Sequence, residues 1–230
     1  MGKITLRPMQ CGDFEAVSRI WHDSFGDAAD EVQRLLRLPG AADGAVCAEE
    51  AGTVRGAMLA FDGLRLGGVR ASYLYALCVS PEARGSGIGR AVYLETVRRA
   101  FSRGAELACI HAASPELERW YASFSETRVL SRAEWKSVQA AEMPRLAVSP
   151  VTPEEYAARR RARAPEMPDI MTRVQALFSP GSLMLAECGG RSAPLCAEMR
   201  GDALYVREPA DEALAAGAAF CLGAARARVY

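Results

Sequence analysis

"VSPEARGSGIGR", residues 79–90, decides how the rest of the chain is read. It closes an apolar run, "ASYLYALCVS" (71–80), places glycine at every second position (Gly85, Gly87, Gly89), and passes into "IGRAVYLETVRRAFSRG" (88–104). There Ile88, Ala91, Val92, Val97, Ala100 and Phe101 form a stripe at helical spacing, with Arg98, Arg99 and Arg103 outside it and Gly104 as a C-terminal stop. The order is strand, glycine turn, helix. A helix N-terminus leaves its first N–H groups without intrahelical acceptors and carries partial positive charge, so a glycine turn feeding one is a nest for anionic oxygens, phosphate above all. The glycines admit close approach of the backbone, and Arg84 and Arg90 add cationic donors at the rim.

Spacing separates the phosphate turns that compete for this stretch. A mononucleotide loop needs Gly-Lys-Ser/Thr after a four-residue gap, and both the lysine and the gap are missing. A dinucleotide turn needs glycine at the sixth position of G-x-G-x-x-G, which here is Arg90. A tight turn that holds nothing explains one glycine well and three alternating glycines poorly.

Outward from the turn, the elements alternate. "ITLRPM" is a short strand, "DFEAVSRIWHDSFG" a helix with Asp13 as cap and Phe14, Val17, Trp21 and Phe25 at helical spacing, and "AADEVQRLLRL" a second helix stopped by "PG". "GAVCAEEAG" and "TVRGAMLAFDGLRLGG" are two strands about a short turn; the strand at 71–80, apolar almost throughout, is covered on both faces. After the turn and its helix come the strand "ELACIHA", the helix "SPELERWYASF" with Ser114 as cap and Pro115 at its first position, and an edge-like strand, "TRVLSRAEWKSVQA". This is an α/β layout with a βαβ crossover around the glycine turn.

Three prolines near residues 144–153 mark a change of texture, and the expected domain boundary lies at 143/144. Beyond it, "TPEE" is a capping box with Thr152 as cap and Glu155 three residues later. The run Arg159, Arg160, Arg161, Arg163 reads as a solvated helix face or a basic contact patch. "MPDIMTRVQALF" is a helix, "SLMLAECGGRSAPLCAEMRGDALYVREP" two or three strands, and "ADEALAAGAAFCLGAA" an Ala-rich helix. Residues 46–60 and 184–198 share a strand, Ala-Glu, glycine turn, strand pattern, which suggests a duplicated half-fold. The second copy enters its helix through Pro209, Ala210 and Asp211, without glycines.

Bulk composition narrows the classes. Half of the 230 residues are apolar, enough for a sizeable core, and 28 basic side chains balance 28 acidic ones, so no overall charge favours nucleic acid or an anionic membrane. Lys3 and Lys136 are the only lysines; with the many alanines this reads as the codon bias of a GC-rich genome, bacterial in expectation. Seven scattered cysteines, most in apolar runs, read as reduced thiols of a cytoplasmic protein, and with no Cys-x-x-Cys and two distant histidines, His22 and His111, no metal is expected. No signal peptide and no membrane-spanning run is expected.

The stretch "LYALCVSPEARGSGIGRAVYLETVRRA" resembles the signature of the GNAT (GCN5-related) N-acetyltransferases at nearly every position: Leu77 and Val79 on the strand, then Pro81, Arg84, Gly85, Gly87 and Gly89. The resemblance covers roughly residues 3–138. It implies the acyl-CoA N-acyltransferase fold, a mixed central sheet flanked by helices, and the remainder is similar to a smaller, partial second half without the carrier loop. It implies acetyl-CoA and an amine acceptor as partners, with room for a homodimer. The main chain of Leu77, Cys78 and Val79 would pair with the pantetheine arm, and Arg84, Gly85, Ser86, Gly87, Ile88, Gly89 and Arg90 would hold the diphosphate, with Ser114 in the slot the family often fills with Asn.

By the same resemblance "ERWYASFSET" places Tyr121 in the slot of the acid that protonates the departing thiolate, although Ser125 and Glu126 replace the usual Gly-Phe. Two readings of Tyr121 stand, acid or core. The base that deprotonates the amine is open among Glu49, Glu50, Asp62, His111 and a water held by Tyr73 or Tyr75, with His111 first because histidine is the residue type suited to proton transfer at neutral pH. The acceptor would lie between the first two helices and the central strand, near Trp21, His22, Asp23 and Phe25. Transfer of an acetyl group from acetyl-CoA to a primary amine by direct attack is the leading reading; an acyl-CoA-binding sensor without turnover is the alternative.

Overall fold

The structure is a computed structural model and describes residues 2–130, 134–161, 168–208 and 211–230. The chain folds as two compact units. One is built from the chain up to Thr127 with a short return ending at Ile170, the other from Arg128 onward.

The first unit runs β1 (Ile4–Pro8), α1 (Phe14–Phe25), α2 (Ala29–Leu36), β2 (Val46–Glu50), β3 (Thr53–Leu66), β4 (Val69–Val79), α3 (Ile88–Ser102), β5 (Leu107–Ile110) and α4 (Pro115–Ala122). Its sheet has the order β1-β2-β3-β4-β5. The first three pairings are antiparallel and β4–β5 is parallel, joined through α3. Helix α3 covers one face: Ile88, Val92 and Tyr93 pack on Val46, Ala48, Met58, Ala60 and Leu74. Helix α1 covers the other, where Trp21, 1 % exposed, lays its ring 5.7 Å from that of Tyr75. Burying each such large side chain contributes on the order of 1.5–3 kcal/mol, and covering β4 on both faces explains its near-continuous apolar sequence.

Helix α1 ends where glycine supplies a left-handed residue: Gly26 has φ 82°, and its N–H bonds His22 O at 2.8 Å. Its start differs from expectation, because Asp13 makes no side-chain cap. Its carboxylate accepts two bonds from Arg7 of β1, at 2.7 and 2.8 Å, and one from Gln10 N at 2.7 Å. The charge-assisted pair with Arg7 and the amide of Gln10 together occupy the carboxylate that would have capped α1.

The second unit contains β6 (Lys136–Gln139), β7 (Ala147–Pro150), α5 (Pro153–Arg161), α6 (Asp169–Phe178), which starts within the return to the first unit, β8 (Leu183–Cys188), β9 (Arg191–Arg200), β10 (Ala203–Glu208), α7 (Glu212–Cys221) and β11 (Arg226–Val229). Its sheet has the order β6-β11-β10-β9-β8-β7. From β7 to β11 the connectivity repeats β1 to β5 element for element, with β10–β11 the parallel pair, and the similar stretches 46–60 and 184–198 fall on the corresponding hairpins β2–β3 and β8–β9. The division falls at 127/128, earlier than the boundary expected at 143/144. Strand β6, expected in the first sheet, instead pairs antiparallel with β11, Ala227 opposite Val138. The predicted Thr152 capping box forms, with Thr152 N donating to Glu155 Oε2 at 3.0 Å and Glu155 N to Thr152 Oγ1 at 3.2 Å. Arg163 and the turn at 209–210 lie outside the described residues. Among the described residues no helix is long and apolar enough to cross a membrane, and no group of three or more His, Cys, Asp or Glu could hold a metal ion.

Candidate active site

Strand β4 outruns its parallel neighbour. Ala71–Leu74 pair with Leu107–Ile110, and there β5 ends. Among the described residues the strand pairings from Tyr75 to Val79 are those to β3, so the edge facing β5 has no partner strand there. A bulge in this segment, between the pairs Leu59/Tyr75 and Ala57/Cys78, holds Ala76 at φ 53°, a left-handed conformation that costs an L-residue about 1–2 kcal/mol. It shifts the alternation: Leu74 faces α3, and beyond the bulge Leu77 and Val79 face α3 too, while Cys78 turns to the other side and donates its thiol to Ala57 O at 3.7 Å. Burial pushes the Cys78 thiol up to about 12, which makes it inert. The site therefore offers main chain from Leu77–Val79.

The turn after β4 is a 3₁₀ segment, Pro81–Ala83, then Arg84, Gly85 (φ 75°), Ser86 and Gly87 (φ 89°). Ser86 closes it by donating its hydroxyl to Ala83 O at 2.5 Å. The first bond of α3 runs from Ala91 N to Gly87 O, 3.0 Å. The N–H groups of Ile88, Gly89 and Arg90 thus precede the helical ladder, Gly87 caps none of them with a side chain, and no acidic residue stands in the first turn. Such donors at the positive end of a 15-residue helix suit an anion.

A β-carbon at Gly85 or Gly87 would meet no protein atom within 4 Å, and both residues have left-handed backbone that favours glycine. At Gly89, inside the helix, it would touch Val79 Cγ2 at 3.5 Å and Trp120 Cη2 at 3.6 Å, ordinary contacts. Arg84 sends its guanidinium back to Val79 O (3.2 Å), Asp23 O (3.3 Å) and Ser24 Oγ (3.4 Å). Arg90 lies over the Phe124 ring, 5.2 Å from its centre.

Tyr121 is 6 % exposed, in the same cluster as Leu77, Val79 and Ile88 beside the glycine turn. Its ring centre lies 5.0 Å from that of Tyr93 and 4.9 Å from that of Trp120. Burial, with Tyr93 adding, raises its hydroxyl to about 12, so it keeps its proton through the neutral range. Tyr93 of α3, which sequence reading did not single out, joins this cluster, with its hydroxyl 3.4 Å from Ser125 Oγ. His111 is exposed and directly follows Ile110, where the β4–β5 pairing stops. Ser114 caps α4 by accepting from Leu117 N at 3.3 Å. Glu49 is paired with Arg7 (2.8 Å), Glu50 with Arg55 (3.6 Å) and Asp62 with Arg103 (2.6 Å). Trp21 donates to Asp27 Oδ2 at 2.7 Å from the core, whereas Phe25 stands exposed.

A strand with an open edge running into an uncapped helix has its counterpart among known proteins: residues 14–124 match the acetyltransferase (GNAT) family. These residues form a GNAT acetyltransferase domain. The match begins with α1 and ends just beyond α4, and so contains the open strand, the glycine turn and Tyr121. Among solved structures, a GCN5-related N-acetyltransferase from Kribbella flavida is similar over 98 % of this chain and 63 % of its own, with a TM-score of 0.64 and 16 % identity, which establishes likeness of fold. A ribosomal-protein-alanine N-acetyltransferase from Brucella melitensis biovar Abortus 2308 aligns with 57 % of this chain and 97 % of its own (TM-score 0.49, 17 % identity). Glucosamine-6-phosphate N-acetyltransferase from Arabidopsis thaliana aligns with 57 % and 97 % (TM-score 0.47, 13 % identity). No curated protein matches the chain in sequence. GNAT acetyltransferases move an acyl group from acetyl-CoA to an amine, and the family match implies that chemistry for residues 14–124.

Proposed function

We propose that the chain transfers the acetyl group of acetyl-CoA to a primary amine by direct attack in a ternary complex. The observation that carries this reading is the uncapped, acid-free N-terminus of α3 set behind two left-handed glycines at the end of an open strand edge. The N–H groups from Gly85 to Arg90 would hold the diphosphate, and the main chain of Leu77–Val79 would pair with the pantetheine amides. A strand N–H beside the thioester carbonyl would stabilise the oxyanion formed when the amine nitrogen bonds to the acyl carbon. As the C–S bond breaks, the sulfur takes the Tyr121 proton, and the amine gives up its own through His111 at the end of β5. Positioning would supply most of the acceleration.

We assign the second unit as a partial acyltransferase-like half without a carrier loop. The ion pairs that engage Glu49, Glu50 and Asp62 favour one other reading, an acyl-CoA-binding module without turnover. Free-thiol release from acetyl-CoA across a panel of primary amines, run beside a binding isotherm for coenzyme A, separates the two. Release with at least one amine is expected. Binding without release on any amine identifies the module, and no binding at all overturns both.

A further inference from the structure

Arg84 belongs to the glycine turn by sequence, but its guanidinium leaves the turn. Ser80 N donates to Arg55 O at 2.8 Å, so by the alternation of an antiparallel ladder the carbonyl of the preceding Val79 points away from β3, toward the open edge. Arg84 Nε donates to that carbonyl at 3.2 Å. The same side chain reaches, through Nη2, Asp23 O at 3.3 Å and Ser24 Oγ at 3.4 Å in the last turn of α1. A guanidinium there is favoured twice, because the final carbonyls of a helix lack intrahelical donors and the helix end carries partial negative charge. Its planar fork presents Nε and Nη2 at a fixed separation to the two sets of acceptors, a spacing that the single nitrogen of a lysine does not reproduce. Immediately beyond lie the exposed Phe25 and the left-handed Gly26.

We propose that Arg84 is a positioning residue that couples the strand and turn binding the carrier to the C-terminal end of α1. Its backbone belongs to the carrier loop, while its side chain makes the order of Ser24–Asp27 depend on the state of that loop. Diphosphate on the turn amides fixes Arg84, and Arg84 fixes the α1 end. The inference rests on coenzyme A binding at the glycine turn.

Amide exchange of the full chain with and without saturating coenzyme A tests it, with affinity measured in parallel by calorimetry. In the parent, binding should slow exchange over Ser24–Asp27, including the Gly26 N–H bonded to His22 O. In Arg84→Ala, at coenzyme A concentrations that calorimetry shows to saturate the variant, slowing over Ser24–Asp27 should disappear while β3–β4 amides stay protected. Ser24→Ala, which leaves the turn intact, should lose part of that slowing, and Arg84→Lys should not restore it. Full slowing in Arg84→Ala, or none in the parent, overturns the coupling. So does a loss of affinity of about tenfold or more in Arg84→Ala, which would make the side chain a ligand of the carrier. A parent that binds no coenzyme A sinks the proposed function itself, and is told apart from these by the isotherm.

Discussion

Replacing Gly87 with valine should abolish coenzyme A binding and leave the fold intact. Two quantities can be worked out separately. The residue sits at φ 89°, and a left-handed conformation costs an L-residue about 1–2 kcal/mol, at the upper end for a β-branched side chain. No heavy atom lies within 4 Å of the added β-carbon, so steric overlap adds nothing. A cost of about 2 kcal/mol lowers the melting temperature by roughly 5 °C, and the protein stays folded at 25 °C. Binding is another matter, because the space the new methyls enter is the space assigned to the diphosphate. Losing two main-chain hydrogen bonds to a charged ligand, about 1.5–3 kcal/mol each, weakens affinity by about 10²- to 10⁴-fold. Gly89→Ala is the control: the residue is helical, its β-carbon would make ordinary contacts, and alanine favours a helix by about 1 kcal/mol. Calorimetry with coenzyme A and thermal unfolding of both variants decide the matter. Parent-like affinity in Gly87→Val refutes the assignment of the turn.

Tyr121→Phe should lower kcat by about 10²-fold with KM for acetyl-CoA unchanged, since it removes an acid and keeps the ring in its cluster; equal rates return Tyr121 to the core. Because burial raises the hydroxyl from 10.0 to about 12, its neutral form contributes stability that is complete below pH 10 and lost as pH rises toward 12, and Tyr121→Phe should flatten that alkaline loss in thermal unfolding. Asp13 titrates the other way: the Arg7 guanidinium holds its carboxyl below 3.8, so the stability it contributes is present above that value and lost as pH falls through the lower folded value. Asp13→Asn should cost about 2 kcal/mol at neutral pH and remove that part of the acid limb in urea titrations between pH 2 and 7.

What was legible in the sequence is what short-range chemistry fixes. Gly85 and Gly87 announce left-handed backbone, Ser114 and Thr152 announce their caps, and the stripe from Ile88 to Phe101 announces a helix, because each depends on neighbours within a few residues. Ala76 gave no signal. A bulge between apolar residues covered on both faces leaves the pattern apolar on either side of the slip, and alanine is not a residue that marks left-handed backbone. Asp13 misled because its carboxylate is taken up by the guanidinium of Arg7 on β1 and by Gln10 N, which leaves it no bond to the amides of α1. The fate of Lys136–Gln139 was hidden for a related reason, since four residues contain a strand but not the identity of the sheet it joins. The short strands Ala147–Pro150 and Arg226–Val229 passed unnoticed, the first beside prolines and the second with arginine at alternate positions.

The repeat within the chain sharpens the assignment of the carrier site. In each unit an arginine ties the end of the fourth strand to the first helix, but the chemistry at the tie is opposite. In the first unit Arg84 takes a main-chain carbonyl, and the helix that follows, α3, has no side-chain cap and no acid in its first turn. In the second, β10 ends in Glu208, whose carboxylate accepts from Arg160 Nη2 at 2.9 Å and from the Tyr156 hydroxyl at 2.6 Å, both of them on α5. Helix α7 then opens with Asp211 accepting from Leu214 N at 2.9 Å and with Glu212 in its first turn. One of the first amides of α7 is thus taken by a side chain, and the first turn carries an acidic residue, Glu212, paired with Lys136. The same connectivity thus yields a helix start with free first amides in one unit and a side-chain-capped start in the other, which supports the proposal of a single carrier site per chain, on the first unit.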